Sequence, residues 1–126
     1  MREAEFKELV KQRFCKCQDL MLYVKGPEYT TYSNPDRLAN FKRAGDIQEC
    51  MPEAALVGMW MKHIVSILDI VDEWEKENIM PSKEMLQEKI TDAINYLVLL
   101  EALFVDSGLE EPMWLDRLEM TRHTAA

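Results

Sequence analysis

The chain has few residues that break helices, with four Gly and five Pro among 126 residues. It also has only three Cys, too few for the disulfide framework of a small secreted domain. With 30% charged and 48% hydrophobic residues, it is neither a disordered nor a fibrous chain by composition. We therefore expect one helical domain over residues 1–126 with a core of its own.

Positive charge is also scarce, since 15 Lys and Arg stand against 23 Asp and Glu. A net charge of −8 does not attract polyanions, so we expect no nucleic-acid polymer as a partner. A compact phosphate ligand is compatible with this charge, because a metal ion or a few local cations neutralise it.

Targeting and metal-binding signals are missing as well. The first residues, MREAEFKELVKQ, lack the apolar run of a secretory signal, and no stretch approaches the roughly 18 apolar residues that span a bilayer. Cys15 and Cys17 are two apart, which separates them on a helix, and no second pair completes a zinc site. We expect a cytoplasmic protein with reduced cysteines and no membrane partner.

Apolar spacing predicts an all-α bundle with a four-helix core and a short fifth helix. Gly26-Pro27 is expected to stop the first helix, Asn34-Pro35 to start the second and Gly45 to end it. The predicted helices span about residues 3–25, 35–45, 52–77, 83–106 and 112–123. Their expected core stripes are Phe6, Val10, Phe14, Cys17, Leu20, Met21 and Val24 on the first helix, and Leu56, Trp60, Ile64, Ile67, Leu68, Val71 and Trp74 on the third.

The fourth predicted helix carries a polar seam, made of Glu88, Asp92 and Asn95. These residues step by four and three, so they share one face of a helix that is apolar almost all round from residue 93 to 104. Burying a carboxylate without partners costs several kcal/mol, so Asp92 needs a cation, a metal or several donors. Both a ligand site and a structural contact with the third helix satisfy that need.

The third helix offers partners for the seam. Lys62 could neutralise Asp92, or Asp69 and Asp72 could join the seam carboxylates as oxygen ligands of Mg²⁺. The alternative is a solvated charged face. His63 is either a hydrogen-bonded core residue or a ligand contact, and no Ser or Cys triad or glycine-rich phosphate loop accompanies it.

Cations also cluster near the start of the second predicted helix. Arg37, Lys42 and Arg43 could hold a phosphate there, because helix N-termini bind anions through free N–H groups. Ordinary surface cations are the alternative. Tyr32, in the preceding loop, could stack against a base.

Three segments, YSNPDRLANF, PEAALVGMWMKH and EKITDAINYLVLLEAL, resemble in order and spacing the MazG-like all-α nucleoside triphosphate pyrophosphohydrolases, including phage-encoded relatives. That resemblance implies a four-helix core, acidic motifs of the form EExxE and ExxD that bind Mg²⁺, and hydrolysis of a nucleotide to its monophosphate and pyrophosphate. Asp92 matches the end of ExxD, whereas Lys89 stands where the family has a glutamate. No EExxE precedes it on residues 52–77.

The resemblance leads to an enzyme hypothesis and two alternatives. As an enzyme, the protein would hold Mg²⁺ with Glu88, Asp92, Asp69 and Asp72, and Lys62 and Asp92 would be catalytic. As a nucleotide binder without turnover, such as a phage protein that sequesters a nucleotide signal, it would contact the ligand through Arg37, Lys62, His63, Asn95 and Tyr32. Nine Met and three Trp also suit a helical protein-interaction module. The family builds sites at subunit contacts, so we expect a homodimer or higher homo-oligomer.

Overall fold

The computed structural model describes residues 1–30 and 34–109, apart from the Tyr29 side chain. The described chain is an all-helical bundle, as predicted. Its helices are α1 (Glu3–Asp19), a π-helical turn (Leu20–Val24), α2 (Lys25–Tyr29), α3 (Ala39–Gln48), α4 (Pro52–Glu77) and α5 (Lys83–Asp106). Tyr32 and the predicted helix over residues 112–123 lie outside the described residues.

The two long helices begin and end where the sequence predicts. Pro52 occupies the first position of α4, where its missing N–H is no loss, and Asn78 ends the helix in the left-handed conformation with φ 56°. The Ser82 hydroxyl accepts a hydrogen bond from the Met85 N–H at 3.2 Å and so caps α5.

The boundaries around residues 20–39 were wrongly predicted. Gly26 and Pro27 do not stop a helix, because the chain continues through the π-helical turn into α2, whose first turn tolerates Pro27. Pro35 does not start one either. The Asp36 carboxylate accepts the N–H of Leu38 at 2.9 Å, and α3 begins only at Ala39.

Gly45 does not end α3, contrary to prediction. The helix continues to Gln48 and ends at Glu49, which takes the left-handed conformation with φ 55°. Gly45 serves packing instead, because a Cβ atom there would lie 2.8 Å from the carbonyl oxygen of Cys50. The chain can therefore turn tightly back against α3 before α4 begins.

The buried core joins α3, α4 and α5. Leu38, Phe41, Leu56 and Leu103 form its centre, and Met59, Tyr96, Leu99, Leu100 and Ala102 pack around them. Beside it, Lys42 Nζ contacts Asp36 at 2.6 Å and Asp106 at 2.8 Å. This lysine ties α3 to the end of α5.

The predicted core stripes are only partly buried. On α4, Leu56 is buried but Leu68, Val71 and Trp74 are exposed. In the stripe predicted for the first helix, Phe6, Val10 and Phe14 of α1 and Val24 of the π-helical turn are exposed, and Cys17 is buried. Periodicity locates an apolar sector but does not reveal whether a neighbour covers it.

One helix among the described residues is long and apolar enough to cross a membrane by length and composition. This is α4, whose best 18-residue window has a mean hydropathy of 1.6 and is 17% buried. The expectation that no apolar stretch is long enough to span a bilayer is therefore wrong for α4. Length and composition alone do not make α4 a membrane span, because core helices of soluble proteins, which are mostly buried, pass the same test. The cytoplasmic location stays a prediction.

Candidate functional site

A cavity of about 350 Å³ lies between α3, α4, the middle of α5 and the π-helical turn. We call it the first cavity. It collects polar side chains over an apolar floor that includes Phe41, Met59 and Leu99. The polar residues of its wall are Lys25, Arg37, Asn40, His63, Asp92, Asn95 and Tyr96. Arg37, His63, Asp92 and Asn95, all predicted site residues, are thus brought together.

Asn95 is buried in this wall, as its position in the apolar helix predicts. Its side chain is 7% exposed, and its Oδ1 atom has no hydrogen-bond partner among the described residues. Leaving a buried acceptor unpaired costs about 1–3 kcal/mol. Because Asn95 lines the cavity, a rotation of its side-chain amide would present this oxygen to a donor on a ligand.

His63, rather than Lys62, faces Asp92. The His63 Nδ1 and Asp92 Oδ2 atoms are 3.8 Å apart, and the two side chains are 20% and 23% exposed. The His63 ring also lies 4.9 Å from the Tyr96 ring, between centroids. Lys62 is exposed and lines neither this cavity nor the neighbouring one, so its catalytic role stays a prediction without a contact to support it.

A second cavity of about 670 Å³ adjoins the first, between α1 and the first half of α5. The two share Leu20, Lys25 and Asp92 in their walls. Three cations and three carboxylates line the second cavity: Arg13, Lys16 and Lys25, with Glu84, Glu88 and Asp92. A ligand that reached from one cavity to the other would pass Asp92.

Arg13 is held in place by α5. Its Nη1 atom donates to the Thr91 hydroxyl at 2.6 Å in a partly buried contact. Sequence reasoning missed this residue, together with Lys16 and Lys25. A signal was present, because Arg13 stands three residues after Val10 and four before Cys17 on the apolar stripe of α1.

Cys17 packs beside this contact with 3% of its surface exposed. Burial raises the pKa of its thiol, although the Arg13 charge and a hydrogen bond with Thr91 lower that pKa in part. A thiol with a raised pKa is a poor nucleophile at neutral pH. Cys17 is therefore a packing residue between α1 and α5.

The predicted Mg²⁺ ligands are only partly brought together. Glu88 and Asp92 line the second cavity one helical turn apart, whereas Asp69 and Asp72 are exposed on α4 outside both cavities. Asp72 pairs with Lys76 at 2.9 Å. Within residues 1–30 and 34–109, no three His, Cys, Asp or Glu side chains cluster as a metal site. Magnesium binding stays a prediction.

Comparison of the chain with family models, with curated proteins and with solved structures finds no match. The likeness to MazG-like proteins consequently remains a resemblance of three segments.

Proposed function

We propose that the protein binds a nucleotide, with its planar base in the first cavity and its phosphate groups in the second. The observation that carries this proposal is that Asn95, a buried residue that lines the first cavity, has an Oδ1 atom without a hydrogen-bond partner among the described residues. A ligand N–H that reached this oxygen would supply the hydrogen bond that it lacks among the described residues.

The first cavity has the chemistry that a base needs. Its volume lies near the lower end of the roughly 300–1,000 Å³ typical of small-molecule sites. The rings of His63, Tyr96 and Phe41 form a linked aromatic wall, with Tyr96 and Phe41 in an edge contact at 6.2 Å. Aromatic faces hold planar ligands, and one amide fixes their orientation.

The second cavity has the chemistry that phosphates need. Arg13, Lys16 and Lys25 supply three positive charges in a chain whose net charge is strongly negative. Local cations of this kind favour phosphate over an uncharged ligand. The adjoining carboxylates would repel a bare triphosphate, which favours a ligand that arrives with Mg²⁺.

A second candidate function is Mg²⁺-dependent hydrolysis of a nucleoside triphosphate to its monophosphate and pyrophosphate. It is favoured by the position of Glu88 and Asp92, one turn apart in the same cavity as the three cations. Two carboxylates fit Mg²⁺ when substrate phosphates complete its coordination. Bound there, the ion would supply charge neutralisation and a more acidic water. Arg13, Lys16 and Lys25 would bind and orient the phosphates.

Thermal unfolding with a panel of ribo- and deoxyribonucleoside triphosphates, with and without MgCl₂, tests the binding proposal. We expect at least one nucleotide to raise the midpoint temperature of the wild type. A pyrophosphate-release assay with the same panel then separates the two functions. Turnover that requires Mg²⁺ and is lost in Asp92→Asn supports hydrolysis, whereas stabilisation without turnover supports binding or sequestration alone. No response to any nucleotide would refute both.

A further inference from the structure

The outer side of α4 carries an apolar stripe that faces away from the buried core. Residues 54, 57, 58, 61, 65, 68 and 71 recur at steps of one, three or four and hence share that side of the helix. They are Ala54, Val57, Gly58, Met61, Val65, Leu68 and Val71, all exposed. The stripe runs for about 26 Å at 1.5 Å per residue.

This stripe is larger than a solvent-facing helix requires. Met61 is 46% exposed, Val65 50% and Leu68 61%. The whole stripe presents on the order of 400 Å² of apolar surface, which is as large as the biggest patch on a typical monomer. Together with its charged flank, the stripe has an exposed area that approaches the roughly 600 Å² per partner buried in the smaller specific interfaces. Such an area suits a second protein helix.

The flank of the stripe carries two opposite charges. Lys62 and Asp69 are exposed and seven residues apart, so they lie on the same flank. Neither side chain makes a hydrogen bond or an ion pair with any other residue that the structure describes. Both were predicted to belong to the ligand site, yet neither lines the first or the second cavity.

These charges match a second copy of the same helix in the antiparallel orientation. When two α4 helices cross beside Val65, Lys62 of each copy lies level with Asp69 of the other. The same flanks face each other across the two-fold axis, which gives two equivalent ion pairs. A parallel arrangement would instead bring together the acidic ends of both helices, where Asp72, Glu73, Glu75 and Glu77 outnumber Lys76.

We propose that the outer stripe of α4 is a homodimer interface, in which two copies pack antiparallel about Val65 and exchange Lys62–Asp69 ion pairs. This proposal does not depend on the ligand, because neither cavity includes these residues. In such a dimer, the second copy would cover the exposed apolar surface of α4 and pair with the charges on its flank.

Sedimentation velocity of the full chain from about 1 to 100 μM tests the interface. We expect a dimer for the wild type and a monomer for Val65→Glu, which places two like charges at the axis. Circular dichroism confirms that the variant keeps its helices. Leu97→Glu is the matched control, since Leu97 is equally exposed at 50% but lies on α5; it should leave the dimer intact.

Charge reversal tests the register. We expect Lys62→Glu and Asp69→Lys each to raise the dimer dissociation constant at least tenfold, and the double variant to regain most of that loss. A wild type that stays monomeric at 100 μM would overturn the proposal. So would a dimer that survives Val65→Glu, or a monomer that binds phosphatidylglycerol vesicles through the same stripe.

Discussion

The Nδ1 atom of His63 on α4 lies 3.8 Å from the Oδ2 atom of Asp92 on α5. Asp92 also lines both cavities, so the contact stands where they join. It places a carboxylate in the path between the proposed base site and the proposed phosphate site. The Asp92 carboxylate would repel the phosphates of a ligand unless a cation bound with them is coordinated by that carboxylate.

The charge of Asp92 should therefore act in opposite directions with and without Mg²⁺. We expect Asp92→Asn to tighten binding of a nucleoside triphosphate in EDTA and to weaken it in MgCl₂. Each change should be about tenfold or somewhat more, since a unit charge roughly 6–12 Å from the phosphates is worth about 1.4–3 kcal/mol at an effective dielectric near 20. Titration calorimetry measures both. Glu101→Gln, exposed on α5 outside both cavities, is the control; parallel changes in the two buffers would contradict this role.

A substitution of Lys16 would separate recognition of the phosphates from recognition of the base in the proposed nucleotide site. We expect Lys16→Gln to weaken binding of a triphosphate about tenfold, because a charge-assisted hydrogen bond contributes roughly 1.5–3 kcal/mol. Binding of the corresponding nucleoside should not change. Lys11→Gln, on the same helix but outside the second cavity, should have no effect on either ligand. Equal losses for nucleoside and triphosphate would place the phosphates elsewhere.

The Lys42 contacts predict a specific pH dependence of stability. Hydrogen bonds to Asp106 and Asp36 raise the pKa of Lys42 to about 12, and the bond from Lys42 lowers the pKa of Asp36 below its usual value. The contribution of Asp36 to the free energy of unfolding is fully present above the carboxyl pKa of the unfolded chain, about 3.9. It disappears as pH falls through the lowered pKa of Asp36 in the folded protein. The Lys42 contribution is present below the usual lysine pKa and disappears as pH rises through about 12.

Urea unfolding at pH 7, 4 and 2 tests this dependence. We expect Lys42→Met to lower the free energy of unfolding at pH 7 and to match the wild type at pH 2, where the carboxylates are protonated. Lys76→Met is the control, because the exposed Lys76–Asp72 pair should contribute little. A difference for Lys42→Met that stays constant down to pH 2 would show that packing of the lysine stem, not its charge, stabilises the fold.

Gly45 should be intolerant of any side chain. We expect Gly45→Ala to lower the free energy of unfolding by about 1–3 kcal/mol, because its methyl group would press on the Cys50 carbonyl. At Gly26 the added Cβ would lie at an ordinary 3.5 Å from the Met21 carbonyl oxygen, so Gly26→Ala should be neutral or stabilising by up to about 1 kcal/mol. Thermal denaturation of the two variants compares them directly. Equal effects would contradict the packing role.

The parts of the fold that local chemistry decides could be predicted. Pro52, Asn78 and Ser82 act on the backbone within one turn, so the bounds of α4 and α5 followed from the sequence. The prediction that Gly45 ends α3 was wrong, because glycine is required there by the close approach of the Cys50 carbonyl oxygen. That contact exists only in the folded chain. Local signals cannot report such contacts.

The candidate site shows the same division. The burial of Asn95 could be predicted, since the helix around it is apolar on almost every face. The partner of Asp92 could not, because His63 and Lys62 are neighbours and the choice depends on the rotation of α4 against α5. Lys62 and Asp69 were predicted as site residues because the sequence does not fix this rotation. In the structure, the rotation of α4 places both residues on its outer flank.

Asn95→Leu tests the central claim most directly, because it removes the unpaired amide while keeping a side chain of similar size. If Asn95 is kept for a ligand, the variant should be about 1–3 kcal/mol more stable than the wild type without nucleotide. It should also lose the rise in midpoint temperature that nucleotide produces in the wild type. Thermal unfolding of both proteins, with and without nucleotide, measures the two effects together. A destabilised variant, or one that still responds to nucleotide like the wild type, would contradict the account.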